Sequence, residues 1–554
     1  MKKLLCLTNL LLWSIALLTL SPQAAKACTG LLVAKGASVD GSVMISYAAD
    51  SHTLYGELYR YPAANWPKGT MRQIVEWDTG KPLGAIPEVA HTYSVIGNIN
   101  EHQVAITEST WGGRKELENP EGLLDYGSLM WIGLQRSKTA REAIKVITDL
   151  VAEYGYHSSG ESFSIADKNE VWILEMIGKG PGKKGAVWVA MRIPDNAIAA
   201  HANQSRIQQI KFNDPDNCLY SKDVIDFARE KGYFKGEDKD FSFQKAYNPW
   251  TMGGLRGCEA RVWAFFNKFV DGMDKYLALA MGDTKQAPMP LYFVPKKKIS
   301  VKDIRDMMRD HYEGTPMDMT KDVGAGAYKV PYRWRPMEYE VDGQTYLNER
   351  AIATQQTGFV LVAQLRNNLP DAIGGILWFG VDDANTAVFT PMYCSMTEVP
   401  HCYEHGNGDM LHFSWESAFW IHNWVANMAY SRYNLMIDDI RALQSDLENS
   451  FDRSTKEFEA NYLKMAKNKK NAAKLQEMVN KFSVNIANET TAKWKKLGEF
   501  LLVKYMDGNR KKMKDGEFMT NGYGLPAMPD FPGYDECYYR HIAETSGEHL
   551  KVKE

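Results

Sequence analysis

The stretch Ala25-Lys26-Ala27-Cys28 constrains this chain most, because small residues stand at the two positions a signal peptidase reads and a cysteine follows directly. Ahead of it lie Lys2 and Lys3 and a mostly apolar run over residues 10–20, the layout of a secretory signal. Cleavage there makes Cys28 the first residue of the mature chain. A cysteine in that place carries a thiol and a free α-amino group, so one residue supplies both an attacking sulfur and the base that activates it. Lys26 spoils the apolar-then-small box of a lipoprotein signal, which argues against lipidation. The plainer alternative is a structural cysteine, since an exported protein can place any cysteine in a disulfide.

Removing residues 1–27 leaves 527 of 554 residues, beyond the usual size of one compact core, so one large domain with extensions, or two, is expected. The lost segment takes three lysines and no acid with it, so 62 basic residues face 68 acidic ones, a net charge of −6. That balance gives no reason to expect a nucleic-acid partner. No later apolar run approaches a membrane span, so a soluble secreted or periplasmic bacterial protein with no membrane contact after signal removal is expected. The remaining cysteines, Cys218, Cys258, Cys394, Cys402 and Cys537, are too few and scattered for a disulfide scaffold. Cys394 and Cys402 flank a turn and form the best candidate pair.

Residues 30–35 read as a buried strand, Asp40-Gly41 as a turn and residues 42–48 as the returning strand, which puts Cys28 at the start of a β-hairpin. Residues 95–98 and 103–107 read as a second strand pair. Ala140, Ala143, Ile144, Ile147, Leu150 and Val151 recur at helical spacing. Strands follow at residues 162–166, 171–176 and 186–191. The glycine- and lysine-rich link over residues 178–185 lacks the Ser or Thr of a phosphate loop and reads as a hairpin turn. Residues 374–392 read strand, turn, strand, with the bend at residues 382–385. From residue 414 to about 506 the chain is charged and helical, with Leu443, Leu447, Phe451, Phe458 and Leu463 on one apolar face. A tail from Asn521 is expected to wrap the surface.

Polar residues at the ends of apolar strands are the places to look for partners of a thiol. Asp50 ends the first hairpin, Asn203 follows the strand-like residues 197–200, and Arg261 closes Arg256-Gly257-Cys258-Glu259-Ala260-Arg261. Taken singly each is as consistent with a turn former or a surface ion pair.

Their order is what gives them weight. Cys28-Thr29-Gly30, Asp40-Gly41-Ser42 and Asp50, then Asn100-Glu101, Gly160-Glu161-Ser162-Phe163 and Ile165-Ala166-Asp167, form the first part of a series. Val171-Trp172-Ile173-Leu174-Glu175, Ala202-Asn203-Gln204 and Gly257-Cys258-Glu259-Ala260-Arg261 continue it. The chain from Cys28 to about Trp263 thereby resembles the dipeptidases of the N-terminal-nucleophile (Ntn) hydrolase superfamily, cysteine peptidases related to penicillin V acylase and choloylglycine hydrolase. The resemblance implies an α+β fold, the four-layer αββα sandwich, over residues 28–412, with residues 413–554 as helical extension and tail. It implies Cys28 as nucleophile, Asp50 holding its amine, Asn203 contacting the amine or the oxyanion, Arg261 orienting the sulfur, and dipeptides as substrates. No cofactor or metal is implied, and the oligomeric state, a homo-oligomer included, stays open.

Two positions depart from the wider superfamily. Tyr47 stands where many acylases have an arginine, and Glu108 where bile salt hydrolases place an oxyanion-hole asparagine. A carboxylate cannot donate to an oxyanion unless protonated, so Glu108 is expected to face a substrate ammonium group. Penicillin or bile-salt amidase activity is the nearest rival chemistry. A further rival is His401-Cys402-Tyr403-Glu404-His405, an H-x-x-E-H match whose zinc site needs a helix, whereas Pro400 before it and Gly406-Asn407-Gly408 after it read as a loop. A non-catalytic binding platform of tryptophans and tyrosines is weaker, since most of these lie in strand or helix patterns.

Overall fold

The computed structural model describes residues 28–553, so the segment expected to be the signal, residues 1–27, lies outside the described residues. The strands that frame the site are β1 (Gly30–Val33), β2 (Val43–Asp50), β3 (Ala105–Trp111), β4 (Gly160–Ala166) and β5 (Val171–Gly178). They continue with β6 (Ala186–Arg192), β7 (Ile198–His201), β8 (Thr357–Leu365), β9 (Gly375–Val381) and β10 (Thr390–Tyr393). One sheet runs β7-β1-β2-β8-β9-β10, with the short strand Tyr292–Phe293 outside β7. The other runs β6-β5-β4-β3 and is extended at both ends by short strands. Every pairing in both sheets is antiparallel, in line with the expected α+β class.

The two sheets lie face to face, β2 of the first against β3 and β4 of the second. Helices α1 (Tyr126–Gln135) and α2 (Ala140–Tyr154) cover the outer face of the second sheet. The first sheet is covered by α3 (Ala260–Phe269), α4 (Ala418–Ser431), α5 (Tyr433–Ala466) and α6 (Ala472–Lys504). A strand with a sheet behind it and helices before it is apolar on both faces. That explains why all nine residues of β8, Thr-Gly-Phe-Val-Leu-Val-Ala-Gln-Leu, are buried, and why a strand of this kind gives no alternating signal to find it by. Among the described residues no helix is long and apolar enough to cross a membrane.

Most expected elements are present with shifted ends: the opening hairpin, the helix after Thr139, the β5–β6 hairpin and the long C-terminal helices. On α5 the predicted apolar face is buried at Leu447, Phe451 and Phe458, but Leu463 is exposed and Tyr462 packs inward instead. The helical face drifts by one position over this length, because 3.6 residues per turn does not keep a fixed residue on the contact line. The expected Cys394–Cys402 disulfide is not formed. Cys394 lies after the sheet-edge strand β10 and points its Sγ at the Asp371 carbonyl, 3.1 Å away, while Cys402 sits in a single helical turn, His401–Tyr403, against α6. Burial pushes both thiols up to about 12, so they persist as neutral apolar groups.

Candidate active site

Cys28 stands just before β1, clamped in place by its neighbour: Thr29 and Ala48 exchange backbone hydrogen bonds of 3.3 and 3.0 Å. Gly30 is required next, because a Cβ there would lie 2.8 Å from His201 Nε2. His201 itself is an internal strut. Its two ring nitrogens meet Ser109 Oγ at 2.6 Å and Ser164 Oγ at 2.7 Å, and burial together with Arg206 and Arg261 holds its pKa down to about 3. It is neutral at every physiological pH and already spent on two serines.

The sulfur opens into a small cavity of about 60 Å³, lined by Cys28, Tyr47, Asp50, Trp77, Asp78 and Glu108 together with Ser51, Thr53 and Tyr126. Cys28 Sγ lies 3.3 Å from Glu108 Oε1 and 3.9 Å from the Tyr47 hydroxyl, and Tyr47 donates a short hydrogen bond to the same carboxylate oxygen. Burial raises the thiol pKa well above its ordinary value, and the Glu108 and Asp50 charges raise it further. Nothing among the groups around the sulfur stabilises a thiolate enough to offset them, apart from the partial help of the Asp50 backbone N–H.

The strand register decides which carboxylates meet. Thr110 of β3 faces Glu161 of β4, and Glu108 lies two residues along the same face, a diagonal neighbour of Glu161. Thr110 Oγ1 bonds Glu161 at 2.9 Å and Glu108 at 3.3 Å. Both carboxylates are fully buried, and among the described residues neither has a lysine or arginine within ion-pair distance. Burial raises Glu108, and burial plus the Glu108 charge raises Glu161 well above the usual carboxylate range, so the surroundings favour the protonated form of the pair.

Arg261 enters from α3, immediately after a π-helical stretch, Leu255–Glu259. Its guanidinium holds the Cys28 carbonyl at 2.6 Å, Thr29 Oγ1 at 2.8 Å and Asn203 Oδ1 at 2.9 Å. Asn203, in the left-handed backbone region at φ 52°, donates Nδ2 to the Thr110 carbonyl at 2.5 Å. Of the six residues singled out from the sequence, Cys28, Tyr47, Asp50 and Glu108 line one cavity, while Arg261 reaches the Cys28 backbone carbonyl and Asn203 is bonded to Arg261. Asp50 is bound by a partner the sequence did not reveal: Arg350 forms a buried ion pair with it, and Thr357 Oγ1 donates to it at 2.6 Å. Burial keeps the Asp50 pKa above its ordinary value despite Arg350. Glu161 and Arg350 are the site residues that sequence reasoning missed. For Glu161 a signal existed, a carboxylate within an apolar strand; for Arg350 there was none.

The H-x-x-E-H residues do not converge. His401 meets Glu404 at 3.1 Å and Glu416 at 2.9 Å, whereas His405 meets Glu57 at 2.9 Å. No group of three or more metal-ligating side chains occurs among the described residues.

An antiparallel two-sheet α+β fold thus brings a thiol, buried acids and a guanidinium together at its central strands. The chain belongs to peptidase family C69, whose family model matches residues 57–446, most of its length. It is similar to a probable dipeptidase of Latilactobacillus sakei, 27% identical over 428 residues that cover 74% of this chain and 82% of that one. A probable dipeptidase of Salmonella dublin is 26% identical over 394 residues, 67% of this chain and 81% of the relative. Dipeptidase A of Lactobacillus helveticus is 25% identical over 452 residues, 77% and 85%.

Proposed function

We propose that the processed chain is a secreted or periplasmic cysteine dipeptidase of the Ntn type, acting through an acyl-enzyme on Cys28. The observation that carries this reading is the setting of the thiol: buried, at the start of a central strand, facing a cavity whose lining residues include no histidine. A Cys–His dyad has no imidazole to work with there. The thiol pKa is raised, so activation needs a base and a positive charge that the unprocessed chain does not offer. Cleavage before Cys28 supplies both in one α-amino group, whose ordinary pKa of about 7.7 to 8.0 leaves a usable neutral fraction near pH 7. The layering of helices, two sheets and helices supports the αββα sandwich reading.

In this mechanism the α-amine takes the thiol proton and the thiolate attacks the peptide carbonyl. The C–N bond then breaks, the α-ammonium returns the proton to the departing amino acid, and a thioester remains. Water, deprotonated by the same amine, attacks that thioester and frees the first amino acid and the thiol. Asp50, fixed by Arg350 and Thr357, holds the α-ammonium electrostatically. Arg261, braced by Asn203, holds the Cys28 carbonyl and thereby aims the sulfur. Tyr47 and Glu108 receive the substrate's free ammonium group, which favours unblocked peptides over the acylated amides that penicillin V and bile-salt conjugates represent.

The test is to produce residues 28–554 behind a removable tag and assay dipeptide hydrolysis before and after traceless removal, with and without EDTA. Activity should arise only after removal and be indifferent to EDTA. Full activity with the tag attached ends the N-terminal-nucleophile reading, and faster cleavage of N-acetylated dipeptides or penicillin V moves the chain to the amidase branch.

A further inference from the structure

The cavity beside Cys28 is electrically lopsided. Asp50, Asp78 and Glu108 line it with no cation among the lining residues, and Ser51, Thr53 and Leu54 of the loop after β2 line it as well. The loop after β2 that carries Ser51 is tied to a guanidinium. The Ser51 N–H donates to the Gln356 carbonyl at 2.9 Å, and the Gln356 side chain accepts a hydrogen bond from Arg335.

Arg335 keeps an exposed face and, among the described residues, has no carboxylate within ion-pair distance. Desolvation of its covered part and repulsion from Arg350 push its pKa down to about 10, with Asp50 pulling the other way and Arg261 adding to the repulsion. His52, exposed on the same loop, is held below its ordinary pKa first by desolvation and then by Arg335. Three arginines are thus crowded about one Asp50, and only Arg350 is ion-paired with it. Arg335 has a neutral amide where a guanidinium fork best receives a carboxylate.

We infer that Arg335 is the specificity residue for the substrate's C-terminal carboxylate, so that the cleft accepts a dipeptide as a zwitterion, ammonium toward Glu108 and carboxylate toward Arg335. The inference rests on the peptidase reading above and sharpens it. Glu108 on the cavity wall and Arg335 behind its Ser51 rim, joined to it through Gln356, are two fixed charges of opposite sign that set the length of the substrate. A tripeptide carries its carboxylate about 3.5 Å of extended chain farther from the scissile bond, beyond the same contact. A C-terminal amide keeps the length and loses the charge.

The experiment compares the processed wild-type chain with Arg335→Gln and Arg335→Lys on Ala-Ala, on Ala-Ala amide and on Ala-Ala-Ala. Wild type should lose roughly ten- to a hundredfold in kcat/KM on going from the free dipeptide to its amide, the range expected for a lost charged hydrogen bond. Arg335→Gln should bring the free dipeptide down to the level of the amide, chiefly through KM, and leave the amide rate where it was. Arg335→Lys should restore part of the preference. Equal wild-type rates on dipeptide and amide, or an equal loss on both in Arg335→Gln, overturn the assignment. A wild-type chain that cleaves none of the three peptides instead overturns the peptidase reading itself, and does so before any variant is made.

Discussion

Glu448 on α5 and Glu161 on β4 are both buried carboxylates, and the molecule holds them in opposite ways. Glu448 sits where the helical extension meets the first sheet. It receives Arg309 at 2.5 Å and the Phe389 N–H at 3.1 Å, with Arg305 at 3.9 Å. Burial works to raise its pKa, yet Arg309 and Arg305 prevail and lower it. A second lock of the same kind joins Arg366 to both oxygens of Glu459, at 3.1 and 2.6 Å, with the Tyr393 hydroxyl on Glu459 at 3.0 Å. Glu161 has no cation: it accepts from the Thr110 hydroxyl at 2.9 Å and the Ser162 N–H at 3.1 Å and lies beside the carboxylate of Glu108. The scaffold thus neutralises its buried charges with cations, as Arg350 does for Asp50, whereas the Glu108–Glu161 pair at the cavity has no cation. Acids without cations of their own are the ones able to welcome a cationic substrate group.

The largest expected effect that sharpens this contrast is at the thiol. Cys28→Ala should lower dipeptide turnover at least about a thousandfold, since the covalent route disappears. Its thermal midpoint should stay close to wild type, measured by circular dichroism on the processed protein. Near-normal turnover would place the chemistry on another residue.

Second, Glu448→Ala leaves the buried Arg309 without its closest anion and Arg305 with Asp452 alone, and should cost about 3–5 kcal/mol of stability. Urea unfolding at pH 7 reads this directly. Glu161→Gln, which removes a like-charge contact, should by the same assay be neutral or stabilising. Equal losses in the two variants would erase the proposed distinction between scaffold and site.

Third, the pH dependence of the acid pair has a definite sign. Its pKa values are raised in the folded chain, so the stabilisation tied to the bound proton is present at low pH and is lost as pH rises through the folded-state titration. Glu161→Gln should flatten that decline in stability. It also removes a hydrogen-bond partner that holds Glu108 down against its burial, so the acid limb of the kcat/KM profile should move to higher pH. A profile that keeps its shape and merely drops in height would make Glu161 structural.

The smallest effect concerns the thiols. Because Cys394 and Cys402 are separate buried groups, dithiothreitol should leave the urea midpoint unchanged, where a broken disulfide would cost about 2–4 kcal/mol. A drop of that size would show that the two cysteines pair in solution.

Much of the site was legible because it lies at the ends of elements with strong local patterns. Asp40-Gly41 marks the hairpin that presents Cys28, and Asp50 ends its second strand. Glu108 stood out through the resemblance, as a carboxylate where bile salt hydrolases place an oxyanion-hole asparagine. The pairing of Cys394 with Cys402 was misjudged because nearness in sequence says little about which way two side chains point when one follows the end of a strand and the other sits in a helical turn. Leu463 was misplaced for a similar reason, since a small angular drift over a 34-residue helix moves a side chain off the contact face.

By itself the sequence determined the periodicities: which segments extend, which coil, and which strand ends carry polar groups, all consequences of local backbone preference and apolar spacing. It also set out the candidate nucleophile and its cleavage site as neighbours. Only the tertiary structure decided which polar groups meet. The β2–β8 register sets Thr357 opposite Asp50, across 307 residues of chain, and the β3–β4 register makes Glu108 and Glu161 neighbours on one face. Register is fixed by how all the apolar faces pack at once, because a slip of one residue would turn every side chain of a strand to the other side.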